Sequence, residues 1–237
     1  MNYAFALVIM IVFGGLVGYL FGSILFAVHI GKLFKKQDVR NTGSNNPGFT
    51  NSTRVYGKKI GLIVLLLDVL KTILPIMIFY CIYRFTLENY CIPFSTNSYN
   101  PRIFIYVPGI FAIVGHIFPI FHKFKGGKGV ASYGGFCICL SPFIALTGII
   151  IIVTCLLITK KMAIGSITAA FFIPFLILIP GINYLYLMYP NIVTCTNIGI
   201  NQLVIFIPIF VCCFLLSCLV IYRHKNNILN IINSNKN

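Results

Sequence analysis

The sequence predicts an all-α integral membrane protein, a polytopic bundle of about seven transmembrane helices with its N-terminus outside and its C-terminus cytoplasmic. Three observations predict it. Of 237 residues, 59% are hydrophobic and only 9% charged, far below the roughly 25% charged of soluble domains. Apolar runs recur at close to the length of about 20 residues that crosses a hydrocarbon core. The 18 Lys and Arg face only three acids, Asp38, Asp68 and Glu88, for a formal net charge of +15. Those cations sit in short segments between the runs. This is the positive-inside pattern, not the polar face with stacking aromatics that nucleic-acid binding requires, so no nucleic-acid partner is expected.

The apolar runs are 3–28, 60–83, 103–121, 132–158, 162–180 and 201–222. The first has no preceding cation and no small-residue cleavage site, which reads as a retained span rather than a signal peptide. Six spans would put the cation-rich segment 32–59 and the basic tail after 222 on opposite sides. A break of run 132–158 at Ser141-Pro142 into two short helices returns the chain to the side it left and makes seven. The inner segments are then 32–59, 122–131, 159–166 and 223–237, and they hold 15 of the 18 cations. Arg84 and Arg102 fall in outer loops at 84–102 and 181–200, and Lys71 lies inside a span three residues after Asp68, where the two charges can neutralise each other. Gly14, Gly15, Gly18 and Gly22 form small-residue faces for helix packing. Seven of the nine Cys, among them the isolated Cys137-x-Cys139, lie in or beside apolar runs and act as small hydrophobes. Neither metal nor cofactor is expected.

Three inner segments carry chemistry. Thr42 to Arg54 is dense in Gly, hydroxyls and amides. It reads either as a solvated turn region or as an anion site in which Arg54 presents a planar fork to phosphate. Phe121 to Val130 offers Gly126, Gly127 and Gly129 with Lys123, Lys125 and Lys128, either a positive-inside loop or a phosphate cradle. It is not a Walker A loop, because the earlier Gly is missing and Gly129 stands where Ser or Thr belongs. Arg223-His224-Lys225-Asn226-Asn227 ends the last span, and its imidazole either rests at the membrane surface or moves a proton. Asp68 sits about 13 Å into its span, either paired with Lys71 for packing or part of a site. His29 and His116 read as hydrogen-bonded structural residues. No His-x4-Asp acyltransferase signature is present.

Taken together, Gly18–Ser23, Asp38-Val39-Arg40, Gly43-Ser44-Asn45-Asn46-Pro47-Gly48-Phe49-Thr50-Asn51, Leu67–Lys71, Gly115-His116-Ile117-Phe118-Pro119, Phe124–Ala131 and Arg223–Ile228 resemble the bacterial acylphosphate-dependent glycerol-3-phosphate acyltransferases, the PlsY family. The resemblance runs nearly end to end. It implies one transmembrane acyltransferase domain over 1–237, in the bacterial inner (plasma) membrane with its active site at the cytoplasmic face. The implied reaction moves an acyl group from acyl phosphate to the 1-hydroxyl of glycerol 3-phosphate and yields lysophosphatidic acid and inorganic phosphate. By motif position, the resemblance makes Ser44, Arg54, His224 and Asn227 catalytic. It assigns substrate binding to Asn46, Thr50, Asn51, Gly126, Gly127 and Lys128, with Ser166 as the hydroxyl left in its segment because Ala163 stands where Ser is common. Further departures are Leu25 for a common Pro, Asn45 for a common Gly and Asn226 for a common Glu. The rival reading is a transporter of an anionic phosphorylated metabolite, which would more often show internal repeats; none is visible.

Overall fold

The structure is a computed structural model that describes residues 3–87, 101–179 and 200–234. Among these, every regular element is a helix: α1 (Tyr3–Gly22), α2 (Phe26–Lys35), α3 (Phe49–Tyr56), α4 (Lys58–Ile82), α5 (Val107–Ile117), α6 (Val130–Leu140), α7 (Pro142–Thr159), α8 (Met162–Leu176), α9 (Ile200–Tyr222) and α10 (Lys225–Ser234). Most of the two outer loops, with Cys91 and Cys195, lies outside the described residues. Four helical stretches are long and apolar enough to cross a membrane: Met10–Lys35, Lys58–Phe85, Ile103–His122 and Pro142–Thr159. The bent pair α9–α10 makes a fifth, and α6 and α8 are shorter apolar helices.

Two compact units partition the chain, Met1–Phe136 with Ile198–Ile205, and Cys137–Asn197 with Phe206–Asn237. In the first unit, α1 and α5 are packed at backbone distance. A β-carbon on Gly18 would collide with the Pro108 carbonyl, and one on Gly22 with the Ala112 carbonyl, so the expected small-residue face is a real contact surface. The two contacts advance together along the chain, which makes α1 and α5 parallel. Helix α4 runs the other way, with Phe79 against Gly14 and Lys71 against Ile24. Segments 36–57 and 118–129 therefore emerge at one end of this unit, and Arg84 lies toward the other, as the sorting of cations anticipates.

Run 3–28 is not one helix. It breaks at Ser23–Leu25 and restarts as α2. A continuous apolar stretch hides that break, and no Pro marks it. The structure supplies its cause: the Ser23 hydroxyl donates to the Tyr19 carbonyl and accepts from Ile120 N, while the Ile24 carbonyl, freed from the helix, accepts from Lys71. Beyond the break, Leu25, Ala27, Val28, Val39, Tyr56 and Val64 form a small buried core that seats α3 on α2 and α4.

The second unit contains the α7–α8 hairpin, in which Gly165 abuts Ile152 and Gly148 abuts Ile173, an antiparallel register. Its turn places Lys160 in the left-handed region. The expected break at Ser141 is present, with Ser141 extended and Pro142 opening α7. The two pieces are unequal: α6 has 11 residues, about 16 Å, whereas α7 has 18, about 27 Å and long enough to cross alone. Phe175 and Phe210 join α8 to α9, with ring centroids 6.0 Å apart. At Arg223–His224 the chain bends by 50° into α10.

Candidate active site

The first inner segment is shaped by one buried amide. Asn51, 1% exposed, accepts from Ser44 N and donates to the carbonyls of Val39 and Thr42, each at 2.9 Å. It thereby draws residues 39–44 back onto α3 and leaves Ser44 exposed at the tip. Gly43 and Asn45 both take positive φ, 65° and 56°. Asn tolerates that conformation better than other side-chain-bearing residues, so the departure from Gly at position 45 is accommodated. Asn46 is half-buried beside Gly48.

Helix α3 faces two ways. Asn51, Ser52 and Tyr56 are buried, while Thr50 and Arg54, one turn apart, share the exposed face. Burial pushes the Tyr56 phenol up, keeping it a neutral donor to the Gln37 carbonyl. At the mouth of the segment, Arg40 grips the Asp38 carboxylate with two nitrogens. The Arg40 hydrogen bond holds that carboxyl below its ordinary value, so this cation is already neutralised.

The glycine-rich loop is anchored on a buried ion pair. Lys71 Nζ lies 2.9 Å from Asp68 Oδ1 and donates at 2.8 Å to both the Ile24 carbonyl and His116 Nδ1. The Gly127 N–H donates to the His116 carbonyl at 3.0 Å. A β-carbon on Gly127 would strike His116 Nε2, and one on Gly126 would strike the His116 carbonyl. Only glycine lets this strand of backbone lie so close. Lys128 follows, half-buried. Thirteen residues separate Lys58 from Lys71, about 20 Å of helix; the loop thus folds back to the level of the polar pair inside α4. Of the two sequence readings of Asp68, the pairing with Lys71 is observed, and His116 extends it to the loop. His116 is the hydrogen-bonded structural residue that the sequence predicts; its link to the loop is not written in the sequence around it. The Gly115–Pro119 motif was the available signal, but nothing local ties it to Lys71. His122, at the start of the loop, meets the His29 ring edge-on at 5.5 Å.

In the second unit His224 occupies the corner between α9 and α10, 2% exposed. Its Nδ1 is 2.8 Å from the Val220 carbonyl. A carbonyl only accepts, so Nδ1 carries the proton, and in the neutral ring Nε2 is the acceptor nitrogen. Asn227 follows three residues later, half-buried on the same side of the first turn of α10. Ser166, 6% exposed, donates to the Met162 carbonyl at 3.1 Å within α8.

These features match known proteins over nearly the whole chain. Residues 11–234 match the family model described as glycerol-3-phosphate acyltransferase. A glycerol-3-phosphate acyltransferase of Ureaplasma parvum is 44% identical over 233 residues, 97% of this chain and 89% of the relative. One from Mycoplasma pneumoniae is 36% identical over 238 residues, 100% and 98% of the two chains. Among solved structures, PlsY, an integral membrane glycerol 3-phosphate acyltransferase, superimposes in its glycerol 3-phosphate form with a TM-score of 0.71 at 29% identity, covering 94% of this chain and 92% of that one. Its lysophosphatidic acid form gives 0.69 at 28% identity, with the same coverage. With helices of spanning length, a glycine-rich loop held at a buried ion pair and agreement from end to end, the chain belongs to the glycerol-3-phosphate acyltransferase family of integral membrane proteins.

Proposed function

We propose that this protein transfers an acyl group from acyl phosphate to the 1-hydroxyl of sn-glycerol 3-phosphate and releases lysophosphatidic acid and inorganic phosphate, the first step of phospholipid synthesis. The observation that carries the reading is the shared end of the first unit: Thr50 and Arg54 are exposed there, and the Gly126–Lys128 loop emerges at the same end. Both substrates carry phosphate, so cations beside close-approach backbone suit them. Chemical support from a solved structure comes from the glycerol 3-phosphate form of PlsY.

Acyl phosphate is already an activated mixed anhydride, so no enzyme nucleophile is required. The glycerol hydroxyl oxygen attacks the acyl carbon and forms the ester C–O bond. The bond from that carbon to the phosphate oxygen breaks, and phosphate leaves with the electron pair. Positioning two anions and neutralising charge as it shifts is then the main task. Arg54 and Lys128 hold phosphate, Ser44 and Asn227 orient the reactants, and Gly126 and Gly127 let the backbone approach glycerol 3-phosphate. Asn46 and Thr50 support the first segment. Asn51 serves by holding Ser44 in place. Ser166, bonded within α8, is the weakest of the assigned ligands. His224 positions phosphate or takes the hydroxyl proton at Nε2, which the departing phosphate can also accept.

In this reading, residues 1–237 form one acyltransferase domain of seven spans, with α6 and α8 counted among them. The N-terminus is outside and the C-terminus cytoplasmic, in the bacterial inner membrane. The acyl chain stays in the bilayer, and glycerol 3-phosphate arrives from the cytosol. Purified protein supplied with both substrates should release phosphate and form lysophosphatidic acid, with acyl-CoA and acyl carrier protein inert as direct donors. Absence of both products would overturn the reading, and protein-dependent uptake of glycerol 3-phosphate into vesicles would then favour transport. His224→Ala should lower turnover; wild-type turnover in that variant removes His224 from the chemistry.

A further inference from the structure

We propose that His116 is a positioning residue for the glycerol 3-phosphate loop, its ring fixed by Lys71 and Asp68 and its edge setting the backbone path at Gly126-Gly127; this rests on the acyltransferase reading above.

Lys71 fixes the imidazole. Its ammonium donates to the Ile24 carbonyl and His116 Nδ1 and is ion-paired with Asp68 Oδ1. Because Lys71 donates, Nδ1 must accept, and the neutral ring carries its proton on Nε2. The carboxylate does not compete for Nδ1, since Asp68 Oδ1 is 3.6 Å away, too far for a hydrogen bond. Both the tautomer and the tilt of the ring therefore follow from a lysine on another helix. That ring's Nε2 edge lies where Gly127 would carry a side chain, and the His116 carbonyl holds the Gly127 N–H. Gly127 is gripped by backbone and side chain of a single residue. Gly126 rests on the carbonyls of the same turn, His116 and Ile117.

Stability alone does not account for the arrangement. A buried ion pair is often replaceable by packed apolar residues without loss, and all three polar groups here are 3% exposed or less. The cluster also spans separate elements: α4, the end of α5 and the break after α1. It fixes those three relative to the loop, which is what a site for a small anion needs, because binding and transfer depend on placement to within about an ångström.

The test uses full-length purified wild type, His116→Ala and the double variant Asp68→Asn/Lys71→Met, which removes both charges together. Steady-state kinetics are measured with each substrate varied in turn, alongside calorimetric binding of glycerol 3-phosphate and thermal unfolding. Both variants should raise KM and Kd for glycerol 3-phosphate by roughly tenfold to a hundredfold and leave KM for acyl phosphate unchanged. A stability role would instead lower the unfolding midpoint with the glycerol 3-phosphate Kd intact. Unchanged Kd in either folded variant, or an equal rise in KM for both substrates, overturns the proposal. If His116→Ala does not fold, the double variant decides. A wild type that neither binds nor acylates glycerol 3-phosphate refutes the acyltransferase reading itself, an outcome separate from unaltered binding in the variants.

Discussion

Two loops emerge at the same end of the first unit, and they are held by opposite means. The segment before α3 is fastened by its own neighbourhood, since Asn51 reaches back 7, 9 and 12 residues to Ser44, Thr42 and Val39. The glycine-rich loop is fastened from afar, because the Lys71 that orients His116 is 45 residues from it and 47 from Ile24. Closing a short loop costs little chain entropy, and one buried amide suffices. The distant anchor exists only once α1, α4 and α5 have docked. The first loop should therefore fail locally when damaged, and the second together with the helix packing.

The largest expected effect comes from the distant anchor. Lys71→Met leaves Asp68 buried and uncompensated, which should cost about 3–5 kcal/mol, read as a lowered unfolding midpoint in detergent. Asp68→Asn/Lys71→Met should recover most of that loss; equal instability of the single and double variants would show that charge balance is not what the pair supplies. Next, Arg54→Ala removes an exposed cation from the face it shares with Thr50. Activity should fall about 10²–10³-fold, the cost of one lost transition-state donor, with the unfolding midpoint unmoved. Loss of fold in that variant would make Arg54 part of the scaffold and erase the contrast between the two loops.

Asn51→Ala removes the acceptor of the Ser44 N–H and one of two donors from each of the Val39 and Thr42 carbonyls, which keep a backbone N–H each. A loss of about 1–3 kcal/mol follows from the unsatisfied N–H and the lost amide bonds, together with lower activity through Ser44 and an unchanged glycerol 3-phosphate Kd if the two loops are fixed independently. The smallest effect is at Asp38. Its carboxyl is held low by Arg40, so the folded state favours the ionised form. The resulting stability is fully present above the unfolded value of about 3.9 and is lost as pH falls through the lower folded value. The side chains are 12% and 26% exposed, and solvent screening keeps the contribution to about 1 kcal/mol or less. Unfolding midpoints of wild type and Asp38→Asn should converge as the medium is acidified.

Much of the first loop was legible in advance. Gly43, Asn45, Asn46 and Pro47 announce turns, and the one-turn spacing of Thr50 and Arg54 announces a shared face. Of the glycine-rich loop, the glycines and lysines were visible but the reason for them was not. Gly127 is required by the imidazole that lies against it, and no local pattern brings His116 to that place. The break at Ser141-Pro142 was readable from its proline. The break at Ser23–Leu25 was not, because Leu25 keeps the run apolar while the cause lies in Lys71 and Ile120 from other parts of the chain.

Composition and run length determined the solvent this chain inhabits: 59% hydrophobic residues, gathered in continuous apolar runs with cations confined to short segments, satisfy their backbone polar groups in a bilayer as helices rather than as the alternating strands of a closed barrel. Motif order determined the family. Which polar residues work together was decided by tertiary structure alone. A charge inside a membrane helix is tolerable only beside a partner, and the partners of Lys71 come from α4 itself, the end of α5 and the break after α1. Their meeting depends on Gly18 and Gly22 admitting α5 at backbone distance, a property of two packed surfaces rather than of either sequence segment.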